Sequence, residues 1–187
     1  GKSMSVPVGK RRISELEFFA NAVQMRREIT MCLLRNFGAK DRIRDLKTPH
    51  GMKVMNEADR QAVLDIFDKY NAGGDVLLQF PQWLLTHFRE SLLELLRSLI
   101  LQITAANSIY PNSLREAEER RSIQNRAICT CECLLQELGY IATILPVDAN
   151  KIERFVDMAD REVALLKGWR KSDNKFFRRF LHPAGSK

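Results

Sequence analysis

The sequence predicts an all-α fold, an antiparallel four-helix bundle with a short extra helix inserted between the first and second long helices. Three observations predict it. The chain of 187 residues is 45% hydrophobic and 28% charged, a soluble, globular composition in which Gly is scarce and Leu, Ala, Glu, Arg and Lys dominate. Four long stretches each carry an apolar stripe at three-and-four spacing. No period of about 34 to 45 residues recurs, which argues against a helical-repeat solenoid. A chain of this length can bury a real core as one domain with an insertion.

Residues 1–12, GKSMSVPVGKRR, combine Pro, Gly and Ser without periodicity and read as a flexible basic arm. Within it, Gly1 to Ser3 ahead of Met4 look vector-derived. The first long helix is expected to open at Ser14, with Glu17 completing a capping box, and to stop at Gly38. Its buried stripe is read as Ile13, Leu16, Phe19, Ala20, Val23, Ile29, Leu33 and Phe37, with Arg26, Arg27 and Arg35 on the polar side.

Residues 39–55 lose helical period and read as a basic loop. Asn56 then caps a short helix that sets Ala62, Val63, Ile66, Phe67 and Tyr70 on one face before Asn71, Gly73 and Gly74 end it. Residues 39–80 therefore read as an insertion, not a domain.

The central helix, residues 81–109, carries Leu84, Phe88, Leu92, Leu95, Leu96, Leu99 and Ile103 in one stripe, and Leu85, Leu93, Ile100 and Leu101 widen it. Such a rod meets neighbours on more than one side. Pro81 suits its first helical position and Pro111 stops it. Arg89, Glu90, Glu94 and Arg97 interrupt the run, so no membrane span is expected there.

Ser113 with Glu116 makes a second capping box for a helix from Leu114 to about Leu145. Its first part is charged nearly all round, so it should project beyond the core or face a partner. The second part buries Ile128, Cys131, Leu134, Leu135, Leu138, Ile141 and Leu145. Pro146 breaks the chain, and Asp148 caps a last helix striped by Ile152, Phe155, Val156, Ala159, Val163 and Leu166. The bundle is thus expected over residues 13–175, with 176–187 as a basic aromatic tail.

A formal charge of +7 points to a polyanionic partner. Near the C-terminus Lys167, Arg170, Lys171, Lys175, Arg178 and Arg179 face a single acid, Asp173, with Trp169, Phe176, Phe177 and Phe180 interleaved. Cations that neutralise phosphates beside aromatic faces suit single-stranded nucleic acid or an RNA loop. The alternative is that Trp169 plugs the bundle end and the phenylalanines dock on a neighbour. With Lys10, Arg11, Arg12, Arg26 and Arg27 these cations form the candidate nucleic-acid-binding set.

Cys129, Cys131 and Cys133 invite a metal site, but on a helix positions 129 and 133 share a face while 131 points away. They read instead as buried small apolar residues, and no metal or cofactor is expected. No secretory segment opens the chain, so reduced thiols in the cytoplasm are expected. Arg44 and His50 match the Arg and His spacing of helical HEPN-type ribonucleases but fall in a loop beside Pro49. No catalytic residue is assigned, and no Gly-rich phosphate loop is present.

ITAANSIYP, ERRSIQNRAICTCECLLQEL, ILPVD and above all REVALLKGWRKSDNK resemble the small bacterial four-helix-bundle proteins. These include the 23S rRNA intervening-sequence proteins and the accessory variability determinant of diversity-generating retroelements. The most specific piece is Leu166, Lys167, Gly168 and Trp169, which makes Gly168 and Trp169 motif residues. The resemblance runs from the central helix to Lys175 and departs at residues 39–80, longer than the first connection of a typical member. It implies a non-catalytic accessory subunit that assembles as a basic homopentameric barrel. Such a subunit binds its cognate reverse transcriptase and template RNA, and by the same chemistry DNA, in support of mutagenic cDNA synthesis. Without a reverse-transcriptase partner, the alternative is a protein-interaction bundle of the intervening-sequence type.

Overall fold

Capping and apolar periodicity set six helices in the computed structural model, which describes residues 13, 16–35, 37, 55–69, 80–183 and 185. They are α1 (Glu17–Leu34), α2 (Glu57–Lys69), α3 (Gln82–Ser108), α4 (Leu114–Ile144), α5 (Ala149–Ser172) and α6 (Asn174–Leu181). No strand occurs among the described residues. α1, α3, α4, α5 and α6 pack together: α1 lies against α3 and α5, α4 lies against the same two from the other side, and α6 folds over α4 and α5. α3 and α4 run in opposite directions, since Phe88 meets Tyr140 edge to face at 5.8 Å while Thr130 donates to Gln102 at 2.8 Å. α1 and α5 do likewise. Glu17 pairs with Arg161 and, further along α1, Glu28 pairs with Arg154.

The expected caps form at three starts. Asn56 Oδ1 accepts the Asp59 amide at 2.8 Å, Ser113 Oγ accepts that of Glu116 at 3.3 Å, and Asp148 accepts that of Asn150 at 2.9 Å. Glu116 reaches back one residue further than a capping box requires, taking the amide of Asn112 at 2.6 Å. Pro81 stands at the cap itself, with Gln82 as the first helical residue.

Along α1 most of the expected stripe holds: Leu16, Ile29, Leu33 and Phe37 are buried and Ile13 and Phe19 pack partly buried on the core, but Ala20 and Val23 do not face inward. Phe18, Ala22, Met25, Ile29, Cys32 and Leu33 face inward, whereas Val23 is 44% exposed and Ala20 is exposed. The buried face is centred on Phe18, Ala22, Met25 and Ile29, so Phe19 sits at its edge, partly buried, and Asn21 is carried inside. α1 also begins at Glu17 and ends at Leu34, three residues short of the expected Phe37. Glu17 bonds Arg161 instead of capping; Ser14 and Gly38 lie outside the described residues. α2 buries none of its described side chains, and Ile66 is exposed; the side chain of Phe67, all of Tyr70 and the glycines after it lie outside the described residues.

The interior is apolar along α3 from Leu85 to Ala106 and opposite the second half of α4, where Phe88, Leu96, Leu99, Ile103, Leu134, Leu138 and Ile141 are fully enclosed. By length and composition alone α4 is apolar enough to cross a membrane; here its residues Ala127, Cys131, Leu134 and Leu138 face the other helices. The first half of α4 departs from expectation. It does not project: Ala117, Arg120 and Gln124 are buried beneath the ends of α3, α5 and α6.

Candidate nucleic-acid interface

α5 ends at Ser172 and α6 begins two residues later, so Asp173 alone serves as the joint. Its amide bonds the carbonyls of Trp169 and Arg170, and its own carbonyl accepts Phe176 N–H at 3.0 Å. The carboxylate turns inward. Arg120 Nε donates to Oδ2 at 2.6 Å, Arg120 Nη2 to Oδ1 at 3.3 Å, and Gln124 Nε2 to Oδ2 at 2.8 Å. The acid of the C-terminal stretch is therefore engaged inside the protein and is not a partner of the cations around it.

On the outside the two arginines of the groove meet neutral partners, and Lys167 has one distant acid. Arg170 Nη1 donates to Asn125 Oδ1 at 2.8 Å, and Arg121 Nη2 to Asn174 Oδ1 at 2.5 Å while its guanidinium lies 3.8 Å over the Phe177 ring. Lys167 stands 4.0 Å from Glu132, with both side chains about half exposed, a separation at which solvent screens most of the attraction. Arg121, Asn125, Lys167, Arg170, Lys171 and Asn174 line a groove of about 490 Å³ that contains four cations and no carboxylate. A second groove of about 510 Å³ continues from the shared Lys171 and Asn174 onto α6, where Phe177, Arg178, Leu181 and His182 line it. Guanidinium, ammonium and amide donors around an open trough are the groups that hold phosphate oxygens.

The expected binding set is divided by the fold. Lys167, Arg170, Lys171 and Arg178 come together here, whereas exposed Lys175 and Arg179 line neither groove and lie over the rings of Phe176 and Phe180. Arg27 lines a separate pocket of about 310 Å³ with Arg35, Lys151, Arg154 and Phe155, some 30 Å along α5 from Lys171 at 1.5 Å per residue. Exposed Arg26 lines none of these; Lys10, Arg11 and Arg12 lie outside the described residues, as do Arg44 and His50.

Sequence reasoning missed Arg121 and Asn125. They are four apart on α4, a spacing that sets them on one face, but a stretch charged all round masks such a pair.

Trp169 is no stacking platform. It is 5% exposed and stacks on Phe18 with ring centroids 4.3 Å apart, so it closes the end of the core. Phe176 is likewise buried, edge-on to Tyr110 at 5.6 Å, leaving Phe177 and Phe180 partly exposed. Gly168 is exposed, and a Cβ there would meet nothing within 4 Å, so no close approach within this chain demands a glycine.

The cysteines correct one expectation. Cys32 and Cys131 are buried, but Cys129 and Cys133 are exposed, side by side one turn apart. Cys131 Sγ donates to the Ala159 carbonyl at 3.3 Å, and burial pushes its thiol up to about 12. Among the described residues no group of three or more His, Cys, Asp or Glu side chains could hold a metal ion.

A second buried carboxylate sits away from the grooves. Glu162 is fully enclosed; one oxygen accepts Asn21 Nδ2 at 2.7 Å and the other has no hydrogen-bond partner. Burial pushes its carboxyl up to about 8 against the opposing pull of Asn21 and Arg161.

Compared with family models, curated proteins and solved structures, the chain finds no match.

Proposed function

We propose that the chain is a non-catalytic, nucleic-acid-binding accessory protein: an antiparallel four-helix bundle of α1, α3, α4 and α5 whose α6 end carries the binding surface. The observation that carries this reading is the groove of Arg121, Lys167, Arg170 and Lys171, four cations with no carboxylate in the lining, since Asp173 turns inward and Glu132 comes no nearer than 4.0 Å to Lys167. Summed cations in a trough raise the local concentration of a polyanion far more than the same charges scattered over a surface.

In its narrower form the reading makes the chain the accessory subunit of a diversity-generating retroelement, which binds template RNA or cDNA and its reverse transcriptase. The sequence resemblance supports it, and the LKGW stretch at the heart of that resemblance runs straight into the groove. A homo-oligomer, a pentamer by the same resemblance, would use the apolar surface this single copy leaves over: Trp83 is 70% exposed and Leu101 51%.

Fluorescence anisotropy of a structured RNA across a salt series tests the binding. Affinity should fall steeply with salt, and replacing Arg121, Lys167, Arg170 and Lys171 with Ala should flatten the log–log slope by roughly 0.7 to 0.9 for each phosphate that is no longer neutralised. An unchanged slope would place binding elsewhere on the chain. No binding to RNA or DNA at low salt would favour a protein-interaction bundle.

A further inference from the structure

Helix α6 is too short to hold itself. Its eight residues fall below the dozen or so that an isolated helix needs in water, and Phe176 is its one buried side chain. What fixes it is a pair of neighbouring arginines on α4. Arg121 bonds Asn174 and lies over Phe177. Buried Arg120 grips Asp173 at the joint, with its guanidinium 5.1 Å from the centre of the Trp169 ring and 5.8 Å from that of Phe176. The same guanidinium donates to the Ile109 carbonyl at 2.8 Å, just past the end of α3. The ends of four helices thus converge on one side chain.

We infer that the Arg120–Asp173 pair is a latch that positions α6 and so sets how much of the cationic surface exists, an assignment that rests on the nucleic-acid reading above. With the latch closed, Arg178 and Asn174 carry the groove from Lys171 onto α6. With it open, that half of the groove is gone while Lys167, Arg170 and Lys171 remain on α5. Without the pair, α6 would be held by Phe176, an apolar contact with no direction, and by the exposed Arg121–Asn174 bond, for which water competes. A two-pronged guanidinium–carboxylate pair with a third bond to α3 does have direction. A buried ion pair adds little net stability over an apolar replacement, so fixed orientation is the better account of what this one supplies. Arg120 is buried and lines neither groove, so it is a positioning residue.

The test compares Asp173→Asn with Arg178→Ala/Arg179→Ala in the full chain. Asp173→Asn should speed amide exchange across residues 175–181 at least tenfold while α3 and the second half of α4 stay protected. It should also lower the salt slope of single-stranded RNA binding by roughly 1. Arg178→Ala/Arg179→Ala should lower the slope by a similar amount, and Asp173→Asn added to it should lower it no further. Should Asp173→Asn unfold the whole chain, the paired replacement Arg120→Met/Asp173→Leu, which removes the latch without stranding a buried charge, is expected to give the same pattern. Unchanged exchange in α6, or faster exchange with an unchanged slope, overturns the latch; so does a fall in slope that adds to that of Arg178→Ala/Arg179→Ala. If the wild-type chain binds no nucleic acid, the functional reading falls on its own, and α6 exchange alone decides whether the latch holds the helix.

Discussion

Replacing Glu162 with Gln should remove most of the pH dependence of stability between pH 5 and 7.5. The carboxyl is wholly enclosed, with one oxygen bonded to Asn21 and the other unpartnered, and burial raises it to about 8. In the unfolded chain it ionises near its ordinary value of about 4.3. Over the interval between those values the folded chain therefore holds one more proton than the unfolded chain, and stability falls as pH rises. The fall is about 1.4 kcal/mol per pH unit where the two states differ by a full proton, which integrates to about 3 kcal/mol from pH 5 to 7.5. The sign is opposite to that of a salt-bridged carboxylate: the penalty is absent below the unfolded value, grows through neutrality and is complete above about 8. Cys131, held up to about 12, stays protonated in both states throughout this window and adds nothing to the slope. Urea unfolding at pH 5, 6, 7 and 7.5, followed by far-UV circular dichroism, measures both proteins. The wild type should lose about 3 kcal/mol more than Glu162→Gln across the series, the neutral amide keeping the bond from Asn21. Parallel curves would refute the reasoning, because they would mean that the folded carboxyl titrates where the unfolded one does.

Two further substitutions probe packing and the exposed faces. Leu96→Ala, at a fully enclosed position of α3, should cost about 2 to 5 kcal/mol in the same unfolding assay, whereas Leu101→Ala, 51% exposed, should change the stability of a single copy by less than about 0.5 kcal/mol. A larger cost for Leu101→Ala that grows with protein concentration would mark that face as buried between copies. Gly168→Ala should raise stability by about 0.5 to 1 kcal/mol, since a methyl group there meets nothing and helical alanine is favoured over glycine; a thermal melt checks it, and a drop in stability would reveal a close approach by another molecule.

The helix positions were legible because caps and breakers flank them: Asn56, Ser113 and Asp148 act as the sequence suggests. The stripes of α3, α4 and α5 were legible for the same kind of reason, since leucines and isoleucines at three-and-four spacing leave one inward face. α1 was legible in part: Leu16, Ile29 and Leu33 are buried as their spacing suggests, but Ala20 and Val23 are exposed and the polar Asn21 turns inward to Glu162, 141 residues away in sequence. The burial of Arg120 was hidden for a similar cause. In a run of alternating charges nothing local distinguishes the arginine that turns inward from its exposed neighbours; the distinction comes from Asp173, 53 residues away. α6 looked like a tail because eight residues rich in Arg and Phe carry too little helical signal of their own, and it is tertiary anchoring that makes them helical.

Basic residues near the ends of helices have an ordinary explanation that must be set against the interface. Arg170 and Lys171 occupy the last turn of α5, and Arg178 and Arg179 that of α6, where the partial negative charge of the helix C-terminus favours a cation by about 0.3 to 1 kcal/mol. Four of the C-terminal cations could be placed by that effect alone. Arg121 cannot. It lies eight residues into α4, toward the end of that helix whose dipole disfavours a positive charge. Lys167 lies more than a turn before the end of α5, with no acid closer than 4.0 Å. Both nevertheless line the same trough as Arg170 and Lys171. Four like charges brought to one trough repel one another, and the C-terminus of α5 offsets this only for Arg170 and Lys171. An anionic ligand would compensate, and at low salt it should raise the melting temperature of the wild-type chain more than that of a variant with Arg121 and Lys167 replaced by Gln.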